Sequence, residues 1–255
     1  MALLVLASAG FAQSTDSKPP ADAWMKEPTP YLAWNNGISP ELRAARNRFW
    51  DDASMSDIPL TQEGSLRVSG GSYDMTWDSS EISDRLPNRT IVTATFTNHR
   101  SVLSTSERSL YSEVTFRVDK VYEDNTGKEE PLAGRDITLI VYGGTVVLKD
   151  GKDFSVNAVM ISPDGFIQPD RKYLLALSYD KDGDFFEYGD SWDMTDGTLR
   201  ATSGRAEYFV QDGHSALNGI KVEQLDAVMA KQLHKDQPQN GASKGDGADA
   251  SSPSR

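Results

Sequence analysis

The feature of the sequence that most restricts its fold is a run of short alternating segments between residues 90 and 188. Within residues 110–121, for example, Val114, Phe116 and Val118 occupy alternate positions and would share one face of a strand. Successive strands without helices between them are typical of a small barrel or a sandwich. We therefore predict a mainly β fold, a small antiparallel barrel or sandwich. The strand pattern recurs at residues 91–96, 110–121, 137–142, 145–148, 154–161, 173–179 and 185–188.

Two of the connections have the composition of tight hairpin turns. Asp150-Gly151 separates two of the segments, and an Asp-Gly pair favours a two-residue turn. Residues 180–184 form a second turn, and Gly143-Gly144 is interpreted as a turn or bulge. Two weaker strands are predicted at residues 66–68 and 73–77.

A helix is predicted on each side of the β region. Ser39 can cap the first helix, and Pro40 suits its first turn, so this helix extends to about residue 52. The spacing assigns Leu42, Ala45 and Phe49 to the buried face. A second amphipathic helix is predicted at residues 220–233.

Arginines 43, 46 and 48 lie off the predicted apolar face of the first helix. Their side chains are therefore predicted to point away from the core. Because the chain carries 26 basic and 38 acidic residues, a net charge of −12, we expect these arginines to pair with carboxylates and not with phosphate.

Composition excludes several classes of protein. The acidic balance argues against nucleic acid as a partner, since a grip on phosphates needs clustered Lys and Arg. The chain has no Cys, so a disulfide and a thiolate metal site are excluded. No run of 18 apolar residues occurs, so no transmembrane segment is predicted.

The two ends of the chain indicate an exported protein. The apolar run Ala2 to Ala12, followed by polar residues, is interpreted as a signal peptide, so we expect a periplasmic or extracellular location. The predicted organisation is a signal peptide at 1–12, a linker at 13–33, an N-terminal helical segment at 34–57, a barrel or sandwich domain at 58–210, a C-terminal helix at 211–233 and a disordered tail at 234–255.

The order of the strands from residue 90 to about 188 resembles a module found in many secreted bacterial proteins of unassigned function. The similar elements are an opening strand, the pattern Val-x-Phe-x-Val-x-x-Val that ends at Val121, a strand from Gly134 to Val141 before Gly143-Gly144, and Tyr-Leu-Leu-x-Leu at 173–177. The resemblance implies an OB-like barrel, distantly similar to netrin and metalloproteinase-inhibitor modules. It implies no catalytic residue. The inhibitor members use an N-terminal Cys that this chain lacks, so we do not expect inhibition by that route.

An acidic turn is the candidate metal site. Carboxylate oxygens at alternate positions suit calcium. The positions of Gly183 and Ser191 do not match an EF-hand loop, however, and an ordinary acidic hairpin turn is the favoured explanation of the pattern. The candidate ligands are Asp180, Asp182, Asp184 and Glu187.

Two further patterns could carry function. Trp77 and Trp192, each beside an acidic residue, could stack on a sugar, although core aromatics are the commoner case. His99 lies near Ser101 and Ser104, which suggests a base beside a nucleophile, but no Gly-x-Ser-x-Gly elbow accompanies it.

The sequence favours a non-enzymatic exported binding or structural protein, with an envelope protein or a glycan as partner. Two alternatives stay open. One is a secreted hydrolase acting on glycan or peptide, and the other is an envelope component stabilised by calcium. No cofactor other than calcium is expected.

Overall fold

The computed structural model describes residues 26–33, 38–53, 59–62, 89–156, 167–202 and 217–233. Helix α1 precedes the strands, and helix α2 follows them. The elements are α1 (Pro40–Ala53), β1 (Thr90–Leu103), β2 (Leu110–Glu123), β3 (Asp136–Tyr142), β4 (Gly144–Val147), β5 (Asp153–Val156), β6 (Lys172–Asp180), β7 (Phe185–Asp193), β8 (Arg200–Ala201) and α2 (Leu225–Leu233), with 3₁₀ turns at Tyr31–Ala33 and Val222–Gln224.

Five of the strands form a ring. β1 pairs antiparallel with β2 and β6, β2 with β3, and β6 with β7. A short parallel pairing of Leu139 with Phe186 and of Ile140 with Glu187 joins β3 to β7 and closes the ring. The predicted mainly β class with flanking helices is therefore confirmed. The sheet is mixed and not purely antiparallel as predicted, because its ring is partly closed by the parallel pairing of β3 with β7.

The inside of the ring is the main core, and it follows from the alternation in the sequence. Val114, Phe116 and Val118 of β2 are at most 1 % exposed and point inward. They pack with residues from the other strands of the ring, including Val92, Ala94, Phe96, Leu139, Tyr173, Leu175 and Phe186. Since a strand's side chains alternate between two faces, the residues between these point outward.

The C-terminal helix covers a second apolar cluster outside the ring. Leu225 and Met229 of α2 are each 1 % exposed, and they pack with Leu174, Ala176 and Trp192 of β6 and β7. The spacing of four residues places both α2 side chains on one face of the helix. This helix begins at Leu225, later than predicted, because residues 222–224 form a 3₁₀ turn.

Both predicted hairpins are present. β4 and β5 pair around Asp150-Gly151, and the Asp150 side chain accepts a hydrogen bond from Lys152 N at 3.1 Å. β6 and β7 pair around residues 181–184. Strand β8, which pairs with β7, was not predicted because two residues are too few for an alternating pattern.

Gly144 allows the β4–β5 hairpin to approach the barrel closely. Its φ of +141° disfavours other residues, and a Cβ there would lie 2.3 Å from Ser101 Oγ and 2.5 Å from Ser112 Oγ. Thr29 pairs with Val146 beside this hairpin. The interpretation of Gly143-Gly144 as a turn or bulge is confirmed by their positive φ values.

Some predictions fall outside the described residues: the weak strands at 66–68 and 73–77, the second half of the strand predicted at 154–161, the signal peptide and the C-terminal tail. In the described segments, no helix has the length and apolar character needed to cross a membrane.

Candidate functional site

A buried polar cluster lies between α1 and the barrel. Its centre is the carboxylate of Glu113, which is 3 % exposed and occupies an outward position on β2. Helix α1 places Arg43 and Arg46 three residues apart, so both side chains reach the same carboxylate. Their Nη1 atoms lie 2.7 Å and 2.8 Å from Glu113 Oε1. Arg100 of β1 approaches from the neighbouring strand, with Nε 2.5 Å from Glu113 Oε2.

Further hydrogen bonds fix the geometry of this Glu113 cluster, by which we mean Arg43, Arg46, Asn47, Arg100, Tyr111 and Glu113. The Tyr111 hydroxyl accepts a hydrogen bond from Arg43 Nη1 at 3.0 Å and donates one to Asn47 Oδ1 at 2.8 Å. Arg46 also donates from Nε to the carbonyl of Gly183 and from Nη2 to that of Asp184, at 2.8 Å and 2.7 Å. The cluster therefore joins α1 to β1, β2 and the β6–β7 turn.

The charges of the cluster determine its protonation state. Burial opposes ionisation of Glu113, but the guanidinium groups of Arg43, Arg100 and Arg46 outweigh it and hold the pKa of this carboxyl below its usual range. Burial raises the pKa of Tyr111 to about 12, although Arg43 opposes that rise. Near neutral pH, Glu113 is ionised and Tyr111 keeps its proton. The carboxylate is thus an ion-pair acceptor in this state.

Aromatic side chains complete the contact of α1 with the barrel. Phe49 meets Phe185 edge to face at 5.1 Å between ring centroids, and Trp50 stacks on Tyr111 at 6.3 Å. Trp50 also lies 5.8 Å from Tyr142. Beneath α1 the barrel therefore presents aromatic rings and the Glu113 carboxylate, which is also paired with Arg100 of the barrel.

The orientation predicted for the α1 arginines is wrong for two of them. Arg43 and Arg46 are 7 % and 3 % exposed, whereas Leu42 and Ala45 are only half-buried. The expectation that they pair with a carboxylate is confirmed. A prediction from the spacing of apolar residues assumes that a helix packs against an apolar surface. The barrel surface under α1 instead contains Glu113, so the helix turns Arg43 and Arg46 toward the barrel.

The structure distributes the four carboxylates of the acidic turn over different contacts. Asp180 Oδ1 accepts a hydrogen bond from Gly183 N at 2.7 Å. Asp184 Oδ1 accepts bonds from Lys128 Nζ and from the Tyr179 hydroxyl. Asp182 and Glu187 are exposed. Among the described residues, no three His, Asp or Glu side chains are grouped closely enough to hold a metal ion.

The pKa values in the acidic turn move in opposite directions. Desolvation raises the pKa of Glu187, and the nearby charge of Asp180 adds to the effect. Desolvation also opposes ionisation of Asp184, but its hydrogen bonds from Lys128 and Tyr179 outweigh it and lower its pKa. Calcium binding at this turn stays a prediction.

The candidate residues Trp192 and His99 lie in different parts of the structure. Trp192 is 6 % exposed in the cluster under α2, and Trp77 lies outside the described residues. His99 Nε2 lies 3.7 Å from Glu27 Oε2. The Ser101 hydroxyl is fully buried, 3.1 Å from Ser112 Oγ, and it accepts a hydrogen bond from Thr145 N.

Ser104 belongs to the β1–β2 turn. Its hydroxyl lies 3.1 Å from Ser106 Oγ and accepts a hydrogen bond from Ser109 N at 3.2 Å. Asp51 of α1 accepts hydrogen bonds from the hydroxyls of Ser106 and Ser109. Through these hydrogen bonds Ser106 and Ser109 connect the C-terminal end of α1 to the β1–β2 turn.

Comparisons with known protein families and with curated proteins found no match.

The Glu113 cluster is the feature that sequence reasoning missed. Its signal was present in two places: an acidic residue at an outward position of β2, and arginines three residues apart on a helix. Neither pattern shows which residues form a pair, because Arg46 and Arg43 lie 67 and 70 residues from Glu113 along the chain.

Proposed function

We propose that the protein is an exported, non-enzymatic binding or structural protein whose β1–β3 and β6–β7 ring is an OB-like barrel. The observation that carries the proposal is the strand order of the ring, in which a three-stranded antiparallel meander is closed by a parallel pairing with β7. OB-type barrels commonly bind their ligands on the outer face of strands 2 and 3 and on the adjoining loops.

On this proposal the ligand face is the outer surface of β2 and β3. Its two ends differ in character. At one end lie Tyr111, Glu113 and Tyr142, beneath or beside α1. At the other end Arg117 and Asp136 form an exposed ion pair of 2.7 Å, so that end is polar and nearly neutral.

An envelope protein or a glycan is the partner class we propose. Export is inferred from the apolar N-terminal run, and an acidic chain of net charge −12 is poorly suited to a polyanion. Rings beside a carboxylate, as at Tyr111 and Glu113, are a combination that binds sugars and cationic groups.

A thermal-shift screen tests the proposal. The protein starting at Gln13 is melted with soluble glycans, envelope fragments, calcium and zinc, and a ligand at one hundred times its dissociation constant stabilises by about 2.7 kcal/mol. A hit is then repeated with Tyr142→Ala and with Arg117→Ala, which alter opposite ends of the face. If a hit is unaffected by both variants, binding lies elsewhere and the assignment of the face is wrong. Turnover of a glycan or peptide, lost in His99→Gln, would favour the hydrolase alternative.

A further inference from the structure

Helix α1 is attached to the barrel by side chains, while the ring is built by its own backbone pairing. Among the described residues, the backbone hydrogen bonds of β2 join it to β1 and β3. The helix contributes the two arginines on Glu113 and the half-buried rings of Phe49 and Trp50. The hydrogen-bond ladder and the internal core of the ring thus contain no residue of α1.

The docked position leaves two donors of α1 unsatisfied. Arg43 Nε and Trp50 Nε1 are both buried without a hydrogen-bond acceptor. The two residues are seven apart, so they lie on the same face of the helix, and both contact Tyr111. Buried donors are nearly always hydrogen-bonded in folded proteins. Undocking would return both donors to water, which lowers the net gain of docking.

A single carboxylate holds much of the interface together. Both α1 arginines share Glu113 Oε1, so the loss of this one acceptor removes an ion pair from two guanidinium groups at once. The surface that α1 covers includes Tyr111, Glu113 and Phe185. Of these residues, Tyr111 and Glu113 on β2 belong to the ligand face proposed above.

We propose that α1 is a displaceable cover: it opens from the barrel while the ring stays folded, and it thereby controls access to the aromatic rings and the Glu113–Arg100 pair beneath it. The regulation of access rests on the proposed binding function, but the opening of α1 can be measured in the protein without a ligand. Segments that regulate access are drawn from the less stable parts of a fold, whereas core strands open only with global unfolding.

Amide hydrogen exchange of the whole mature protein, resolved by peptide, tests the cover without any ligand. We expect the amides of α1 to exchange about 100-fold faster or more than those of β2 at residues 114–118, which corresponds to about 2.7 kcal/mol between local and global opening. If the protected amides of α1 and β2 exchange at the same rate, α1 opens only with global unfolding and the proposal is overturned.

Two variants and a control test which contacts hold α1 on the barrel. Glu113→Gln and Phe49→Ala should each raise exchange in α1 about tenfold or more and leave the ratio of exchange between β2 and β6 unchanged. Glu130→Gln alters an exposed ion pair with Arg135 and should leave α1 unchanged. If Phe49→Ala raises amide exchange equally in α1 and β2, the helix and the ring unfold as one cooperative unit, and the proposal that α1 opens separately is wrong. Failure of the ligand screen alone would leave this result intact.

Discussion

Arg100 and Glu113 face each other across the pairing of β1 and β2, and Arg100 Nε lies 2.5 Å from Glu113 Oε2. This cross-strand ion pair holds the carboxylate on the surface that receives α1. The barrel therefore supplies the acceptor and one of its arginines, and the helix supplies the other two.

Substitution of Glu113 tests the energetic role of the cluster. Glu113→Gln leaves buried guanidinium groups without their carboxylate, so we expect the free energy of unfolding to fall by about 3 to 5 kcal/mol. Urea unfolding followed by tryptophan fluorescence measures the change. Glu130→Gln, at an exposed ion pair, should change stability by less than about 1 kcal/mol. An equal effect of the two variants would contradict the importance we give to Glu113.

The same carboxylate predicts how acid affects stability. The pKa of Glu113 is lower in the folded state, so its ionised form stabilises the fold above the unfolded pKa of about 4.3, and this contribution is lost as the pH falls through the folded pKa. Urea unfolding from about pH 6 to pH 3 should show wild-type stability falling more steeply than that of Glu113→Gln. Parallel curves for the two proteins would show that Glu113 does not contribute to acid unfolding.

Gly144 tests the close approach of the β4–β5 hairpin to the barrel. Gly144→Ala adds a methyl group against the hydroxyls of Ser101 and Ser112 in a backbone conformation that favours glycine, so we expect a loss of about 2 kcal/mol or more. Gly127 also has a positive φ, but a Cβ there meets no atom within 4 Å. Gly127→Ala therefore reports the backbone cost alone and should lose about 1 kcal/mol. Equal losses would mean that packing at Gly144 is unimportant.

The acidic turn predicts a response to calcium. If calcium binds at Asp180, Asp182, Asp184 and Glu187, millimolar calcium should raise the melting temperature above that in chelator, and Asp182→Asn should reduce the rise. Asp182 is the suitable position because it is exposed, whereas Asp180 and Asp184 also hold the turn together. Identical melting in calcium and in chelator would end the calcium hypothesis.

The alternation of apolar residues was sufficient to locate the strands of the ring, although β1 and β7 extend well beyond the predicted segments 91–96 and 185–188. In β2, for example, every second residue from Val114 to Val118 faces the core, so the pattern is local and readable. The acidic turn and Gly143-Gly144 were readable for the same reason, since turn residues act within a few positions of the chain. The Glu113 cluster was not readable, because its four charged members come from three distant elements.

By itself the sequence determined which segments become strands, where the chain turns, and that the fold is mainly β, because these depend on short-range periodicity and turn chemistry. Only the tertiary structure decided that β7 closes the ring against β3, that α1 buries its arginines, and that Glu113 receives them. The physical reason is that a buried charge is stable only where opposite charges and hydrogen bonds surround it, and that arrangement exists only after distant segments have come together.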